Sequence, residues 1–109
     1  DVYFSNHYSS LDQDPAVLKF IEAFKAKYGK EPDAFNALGY DAAMFAIDGI
    51  RRAEKLTGEA IKEALEATKD FVGVTGTFSI DENHNPVKSI VVIGLKDGVQ
   101  ASSVKVAAE

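Results

Sequence analysis

The chain has 109 residues, of which 46% are apolar, a proportion typical of one folded domain. Seventeen acidic residues against twelve basic ones give a net charge of −5, which repels phosphate backbones, so we expect no nucleic-acid partner. The chain has no cysteine, which excludes disulfides and thiolate metal sites.

The first elements along the chain are a predicted strand and a predicted helix. The β-branched and aromatic run VYF near the N-terminus favours a strand. Asp14 is suited to cap a helix and Pro15 to occupy its first position, while Gly29 is suited to the left-handed residue at its end. These signals predict a helix over residues 15–28, with an apolar face repeating every three or four residues.

A second, longer helix is predicted after the loop GKEPD. Asp33 is its expected cap, and the helical pattern continues to about Leu56. Apolar residues recur along this segment at helical spacing, which predicts one buried stripe. The stripe comprises Leu38, Ala42, Phe45, Ala46, Ile50 and Ala53.

The rest of the chain is predicted to form one helix and three strands. Residues 59–70 carry apolar side chains on one side and charges on the other, which predicts a short amphipathic helix. From Phe71 to Ile80, apolar residues alternate with small or polar ones, as in a single half-buried strand. DENHNP then predicts a turn, SIVVIGL a strand, KDG a second turn and VQASSVKV a last strand. The expected order is a strand, three helices, then three strands.

No signature of catalysis or of a metal site accompanies these elements. Asp81, Asn83 and Asn85 alternate as in the first half of a calcium loop, but Pro86 and Val92 stand where such a loop needs glycine and glutamate. A hairpin loop is the favoured interpretation. Neither histidine has a partner at metal-ligand spacing, and no serine lies in a nucleophile-elbow pattern. We therefore predict no enzyme activity and no cofactor.

Two segments, KYGKEPDAFNALGYDAA and GVTGTFSIDENHNPVK, are the most specific parts of the sequence. Together with the residues around them, they resemble the C-terminal part of the branched-chain amino-acid (Leu/Ile/Val) substrate-binding proteins of ABC transporters. The resemblance covers nearly the whole chain. It implies an α/β fold, namely part of a doubly wound lobe of a type 1 periplasmic binding protein.

The resemblance also implies how the chain is divided and what its parent does. Residues 1–95 would belong mostly to the N-terminal lobe and its hinge strands, and residues 96–109 would be a tail strand of the other lobe. The chain would be a fragment of a protein that captures amino acids or similar small solutes for a membrane permease. Its location would be periplasmic or otherwise extracytoplasmic. Related proteins take varied solutes, so the ligand stays open.

In such proteins, an aromatic residue at the start of the second helix faces the cleft between the lobes. The resemblance therefore implies that Phe35 contacts the ligand, the alternative being a core or staple aromatic at a helix start. Tyr40 and Asp41 match the family's YDA and are interpreted as structural: Tyr40 packs with its hydroxyl satisfied, and Asp41 is an orienting hydrogen-bond partner. Gly39 is expected to permit close approach of a neighbouring element.

Two alternatives to solute capture stay open. The chain could be an excised or engineered half-domain that binds no ligand and associates with itself through surface meant for a missing lobe. It could also be a ligand-sensing receptor domain, because the same architecture serves receptors. For the isolated chain we expect at least a dimer and no measurable binding of leucine.

Overall fold

Three helices follow a short first strand, and five further strands complete the chain in the computed structural model, which describes residues 1–109. The helices are α1 (Pro15–Tyr28), α2 (Ala34–Arg52) and α3 (Gly58–Glu66). The strands are β1 (Val2–Asn6), β2 (Phe71–Gly73), β3 (Gly76–Ile80), β4 (Pro86–Val87), β5 (Ile90–Lys96) and β6 (Val99–Val106). The predicted α/β class is confirmed, whereas the predicted number of strands after the helices is too small.

Local caps explain where α1 begins and ends and where α2 begins. Asp14 accepts a hydrogen bond from the Ala16 N–H at 2.8 Å, and Gly29 ends α1 in the left-handed conformation, with φ at 68°. Asp33 and Asn36 form a reciprocal capping box, in which each side chain accepts from the other residue's backbone N–H. The predicted limits of α1 and the predicted cap of α2 are confirmed.

The C-terminal ends of α2 and α3 come earlier than predicted. α2 ends at Arg52 instead of about Leu56, because Ala53 adopts an extended conformation with ψ at 135°. α3 covers Gly58–Glu66 instead of residues 59–70. Neither end carries the glycine that marks the end of α1, so the sequence offered no local stop signal at these positions.

Arg52 ties the end of α2 to the end of α3. Its guanidinium donates hydrogen bonds to the carboxylate of Asp48, to the backbone carbonyl of Ala64 and to the hydroxyl of Thr68, at 2.7 to 2.8 Å. The Ala64 carbonyl lies in the last turn of α3, where carbonyl groups have no partner within the helix. The arginine therefore satisfies the end of α3 and holds it against α2.

The segment 71–80, predicted as one strand, is a hairpin. β2 and β3 pair antiparallel with Gly73 opposite Gly76, and Val74 and Thr75 form the turn. Gly76 has φ at 122°, a value that residues with a side chain rarely adopt. The alternating pattern runs through the turn without interruption, so periodicity alone could not reveal the reversal.

Strands β1, β5 and β6 form a separate sheet in the order β1-β5-β6, and β5 is antiparallel to both neighbours. Asp97 and Gly98 join β5 to β6 with φ at 53° and 77°, as a tight hairpin turn of this kind requires. The predicted strands SIVVIGL and VQASSVKV and the turn between them are confirmed. The helices and the small β2-β3-β4 sheet form the rest of the structure, which we call the helix–hairpin unit.

Little of the chain is buried. The core cluster consists of Tyr8, Val17, Phe20 and Ala37, where the β1–α1 connection meets α1 and α2. Only 14 of the 109 residues are buried, and the radius of gyration is 15.7 Å, against about 13 Å for a compact domain of this length. Large apolar side chains are exposed on β1, α1, α2 and β6, so much apolar surface has no partner within this chain. No helix has the length and hydropathy needed to cross a bilayer.

The stripe of α2 that was predicted to be buried is not buried, and this prediction is wrong. Of its members, Phe45 packs against the rings of Phe71 and Phe78, with 5.7 and 5.3 Å between ring centroids, and is half-buried. The buried residues of α2 are Ala37, Asp41 and Gly49, which contact α1, the β2–β3 hairpin and α3. Small or hydrogen-bonding side chains suit these positions because their neighbours approach closely. The predicted stripe is partly or fully exposed: Leu38, Ala42, Phe45, Ala46, Ile50 and Ala53.

Gly39 is not a point of close approach, and that prediction is also wrong. No neighbouring atom lies within 4 Å of the position that a Cβ would take there. Close approach occurs at three other glycines instead: Gly49, Gly73 and Gly94. A Cβ at Gly49 would clash with the side chain of Leu65, and one at Gly73 would lie 2.5 Å from the Asp41 carboxylate. A Cβ at Gly94 would clash with the side chain of Ser102.

Candidate functional site

A buried carboxylate on α2 holds the turn between β2 and β3. Asp41 is 4% exposed, and its Oδ1 accepts a hydrogen bond from the Val74 N–H at 2.8 Å. Its Oδ2 accepts from the Thr75 N–H at 2.8 Å and from the Thr75 hydroxyl. These bonds satisfy turn N–H groups that the short hairpin leaves without a backbone partner. The expectation that Asp41 is an orienting hydrogen-bond partner is confirmed.

Two neighbours complete this arrangement. Gly73 lets the carboxylate approach, since a Cβ there would lie 2.5 to 2.9 Å from its atoms. Lys88 donates from Nζ to the Thr75 hydroxyl oxygen at 2.6 Å. Burial lowers the pKa of Lys88, and the negative charge of Asp41 acts in the opposite direction. Nothing in the sequence marked Lys88, because its partner precedes it by 13 residues in another element.

Phe35 lies at the exposed start of α2. Its side chain is 83% exposed within this chain, so it lies outside the core cluster described above. It borders an open groove between α1 and α2, which is lined in part by a row of mutually tilted aromatic rings of α1. The groove is lined by Phe20, Phe24, Tyr28, Lys30, Phe35, Asn36, Gly39 and Tyr40. Contact between Phe35 and a ligand stays a prediction.

Tyr40 is a packing residue at the edge of this groove. Its ring lies against that of Phe20, with 5.1 Å between the ring centroids, as the sequence led us to expect. The expected protein partner for its hydroxyl is not present. The side chain is 46% exposed, so water can take that place.

Tyr8 carries a buried hydroxyl without a partner at the centre of the core cluster. The side chain is 6% exposed, and no group of the protein bonds its hydroxyl oxygen. Burial raises the pKa of Tyr8, and the negative charges of Glu31, Asp12 and Asp33 act in the same direction. The phenol therefore stays protonated at pH values where an exposed tyrosine ionises.

Replacing Tyr8 with Phe is expected to raise the free energy of unfolding by about 1 kcal/mol, because it removes an unpartnered buried hydroxyl and keeps the ring. Above pH of about 10 the gain should grow, since the unfolded wild type then loses the phenolic proton and the folded one keeps it. Tyr3→Phe, at a side chain 69% exposed on β1, is the control and should leave the free energy of unfolding unchanged. Denaturant unfolding of both variants checks this, and a less stable Tyr8→Phe protein would contradict it.

The loop DENHNP is a turn, as predicted. The Oδ1 of Asp81 accepts hydrogen bonds from the N–H groups of Asn83 and Asn85, at 2.9 and 2.8 Å. His84, in the same loop, places its Nε2 2.8 Å from a carboxylate oxygen of Glu66 on α3. No group of three or more acidic or histidine side chains in the chain is arranged to hold a metal ion.

Comparison with known proteins gives a consistent set of relatives. A family model described as periplasmic binding protein matches residues 1–100. The leucine binding protein LivK from Thermotoga maritima MSB8 is 41% identical, with a TM-score of 0.83 over 97% of this chain and 31% of that chain. The branched-chain amino acid transporter substrate binding protein LivJ from Streptococcus pneumoniae str. Canada MDR_19A, in complex with isoleucine, is 33% identical, with a TM-score of 0.84 over 95% of this chain and 30% of that chain.

A curated relative agrees with these structures. The Leu/Ile/Val-binding protein homolog 7 of Brucella abortus (strain 2308) is 27% identical over an alignment of 103 positions, which covers 90% of this chain and 26% of that protein. The chain thus spans between a quarter and a third of the length of its relatives. The resemblance stated from the sequence is confirmed.

Proposed function

Because the chain belongs to the periplasmic binding protein family, we propose that it is part of a protein that captures an amino acid or similar small solute for an ABC transporter. One observation carries the proposal: nearly the whole chain superposes on branched-chain amino-acid binding proteins, one of which holds isoleucine. Capture would proceed by closure of two lobes around the solute, without covalent chemistry. The protein would act outside the cytoplasm and pass its solute to a membrane permease.

The division of the chain between two lobes is part of this proposal. Residues 1–95 would lie mostly in the N-terminal lobe, and residues 96–109 would form a strand of the other lobe. The antiparallel pairing of β1 with β5 supports this division, because a strand that enters a lobe and one that leaves it run in opposite directions. The tight turn at Asp97 and Gly98 follows directly on the proposed boundary.

Phe35 is the proposed contact for the side chain of the solute. It is an aromatic ring at the capped, rigid start of a helix, and it packs against little else in the chain, since it is 83% exposed. Amino-acid side chains such as those of leucine and isoleucine are apolar, and pockets for such ligands are lined mainly by apolar and aromatic groups.

In the complete protein, Phe35→Ala is expected to weaken isoleucine or leucine binding about tenfold or more, because it removes an aromatic anchor. Its unfolding should be unchanged, since the ring is 83% exposed. Leu56→Ala, at a side chain 82% exposed between α2 and α3, is the matched control and should bind normally. Isothermal titration calorimetry measures the Kd of both variants and of the wild type. Absence of binding by the wild type, across aliphatic, aromatic and polar amino acids, would overturn the function; equal binding by Phe35→Ala would overturn only the role of Phe35.

Self-association is a second candidate for the chain on its own, and the exposed edge of β6 favours it. Val99, Val104 and Val106 are exposed by 67%, 60% and 45%, and the charge of Lys105 is directed toward Asp12 at 3.4 Å. A long edge strand that exposes three valines and contains no proline favours pairing with a second copy. We expect light scattering of the isolated chain to show at least a dimer. Titration of the same material with leucine should show no binding. A monodisperse particle near 11.8 kDa would contradict this.

A sensing receptor would use the same cleft, so titration does not distinguish it from a transport protein. Uptake of labelled isoleucine by cells with and without the complete protein separates the two, because only a transport protein should raise the rate of uptake.

A further inference from the structure

Lys88 connects the helix–hairpin unit to the strand by which the chain leaves it. The residue lies between β4 and β5, and its Nζ bonds the hydroxyl oxygen of Thr75, which in turn bonds the carboxylate of Asp41. An ammonium group can only donate and a carboxylate can only accept, so the order of donation is fixed: Lys88 to Thr75, and Thr75 to Asp41. One hydroxyl thus links a buried negative charge to a positive one.

The two charges depend on each other. Asp41 is 4% exposed and takes part in no ion pair within 4.0 Å, so its charge is compensated by hydrogen bonds from the turn and by Lys88 across the hydroxyl. Lys88 is itself partly buried. A buried charge is costly unless it is paired and hydrogen-bonded, so removal of the amine leaves the carboxylate without its cation.

The position of this arrangement gives it a mechanical role. The chain passes between the helix–hairpin unit and the β1-β5-β6 sheet at residues 7–14 and at residues 88–89. The first passage is held from β6, where Gln100 donates to the Ser9 hydroxyl oxygen. The second passage is held by Lys88, which bonds Thr75 in the hairpin and is linked through that hydroxyl to Asp41 on α2.

We propose that Asp41, Thr75 and Lys88 form a relay that fixes the direction in which β5 leaves the helix–hairpin unit. Phe35 and Asp41 lie less than two turns apart on α2, so the relay also fixes Phe35 relative to β5. The functional consequence rests on the proposed function: where β5 is a crossing strand between two lobes, the relay sets the angle between them and with it the affinity for solute.

The test uses variants of the complete protein that remove or keep single groups of the relay. Lys88→Met removes the amine and keeps the stem, Thr75→Val removes the hydroxyl at similar volume, and Thr75→Ser keeps the hydroxyl. Lys96→Met, at an exposed lysine at the end of β5 without an ion pair, is the control. Hydrogen exchange of the Val74 and Thr75 amides and the Kd for isoleucine are measured for each.

We expect Lys88→Met and Thr75→Val to speed exchange of those two amides about tenfold and to change the Kd about threefold or more. Thr75→Ser and Lys96→Met should stay within about twofold of the wild type. Lys88→Met should add little in a Thr75→Val background, because the two substitutions break the same link.

Three results would overturn the relay. The first is equal exchange of the two amides in Thr75→Val and Thr75→Ser, and the second is equal exchange in Lys88→Met and Lys96→Met. The third is additive effects of Lys88→Met and Thr75→Val in the double variant. If the two amides exchange faster while the Kd for isoleucine is unchanged, the relay exists but does not set the angle between the lobes. If the wild type binds no amino acid, the proposed function fails, while the exchange measurements still decide whether the relay exists.

Discussion

Asp41→Ala is expected to lower the free energy of unfolding by about 3 to 5 kcal/mol. The substitution removes the acceptor of three hydrogen bonds from Val74 and Thr75, and it leaves these turn groups buried without a partner. It also leaves the partly buried ammonium of Lys88 without an opposite charge. Both consequences destabilise the same turn, so the hairpin should detach from α2.

The matched control for this prediction is Asp48→Ala on the same helix. The Asp48 side chain is 39% exposed, and its carboxylate forms an i,i+4 ion pair with Arg52 at 2.8 Å. Exposed pairs of this kind contribute about 0.5 kcal/mol. Denaturant unfolding of both variants makes the comparison, and losses of similar size would show that burial of the Asp41 carboxylate does not matter.

Gly73→Ala is expected to cost about 2 to 3 kcal/mol of unfolding free energy. The new methyl group would lie 2.5 Å from a carboxylate oxygen of Asp41, well inside van der Waals contact. That oxygen cannot move away without breaking its bonds to Thr75. The backbone at Gly73 has an ordinary negative φ, so the cost comes from the contact and not from strain.

Gly39→Ala is the control, because a Cβ there meets no atom within 4 Å. Alanine favours a helix over glycine, so this variant should be more stable by about 0.5 to 1 kcal/mol. Thermal unfolding measures the two variants, and combining Gly73→Ala with Asp41→Ala tests the cause. The alanine at position 73 should cost much less once the carboxylate is gone, and additive losses would contradict the proposed clash.

Short-range signals were reliable because the interactions behind them act within a few residues. Asp14 with Pro15, the glycine at 29 and the cap at Asp33 predicted the limits of α1 and the start of α2. KDG predicted the turn between β5 and β6 for the same reason. The end of α2 was placed too late because its stop is an extended Ala53, with no glycine to signal it.

The candidate site was predictable only in part. The sequence suggested that Asp41 orients another group, but its partners Val74 and Thr75 lie 33 and 34 residues further along the chain. Lys88 carried no signal at all, since a lone lysine after a turn looks like a solvated charge. Phe35 was singled out by family resemblance, and its exposure follows from the fold.

By itself, the sequence determined the α/β class, the helix caps, the last hairpin and the family, because these depend on local chemistry or on a long match to related chains. The tertiary structure alone decided that residues 71–80 reverse, that α2 packs through Asp41 and Gly49, and that Gly73 has no room for a side chain. Each of these depends on a close contact between residues far apart in the sequence, and a local pattern does not specify which distant partner a residue meets.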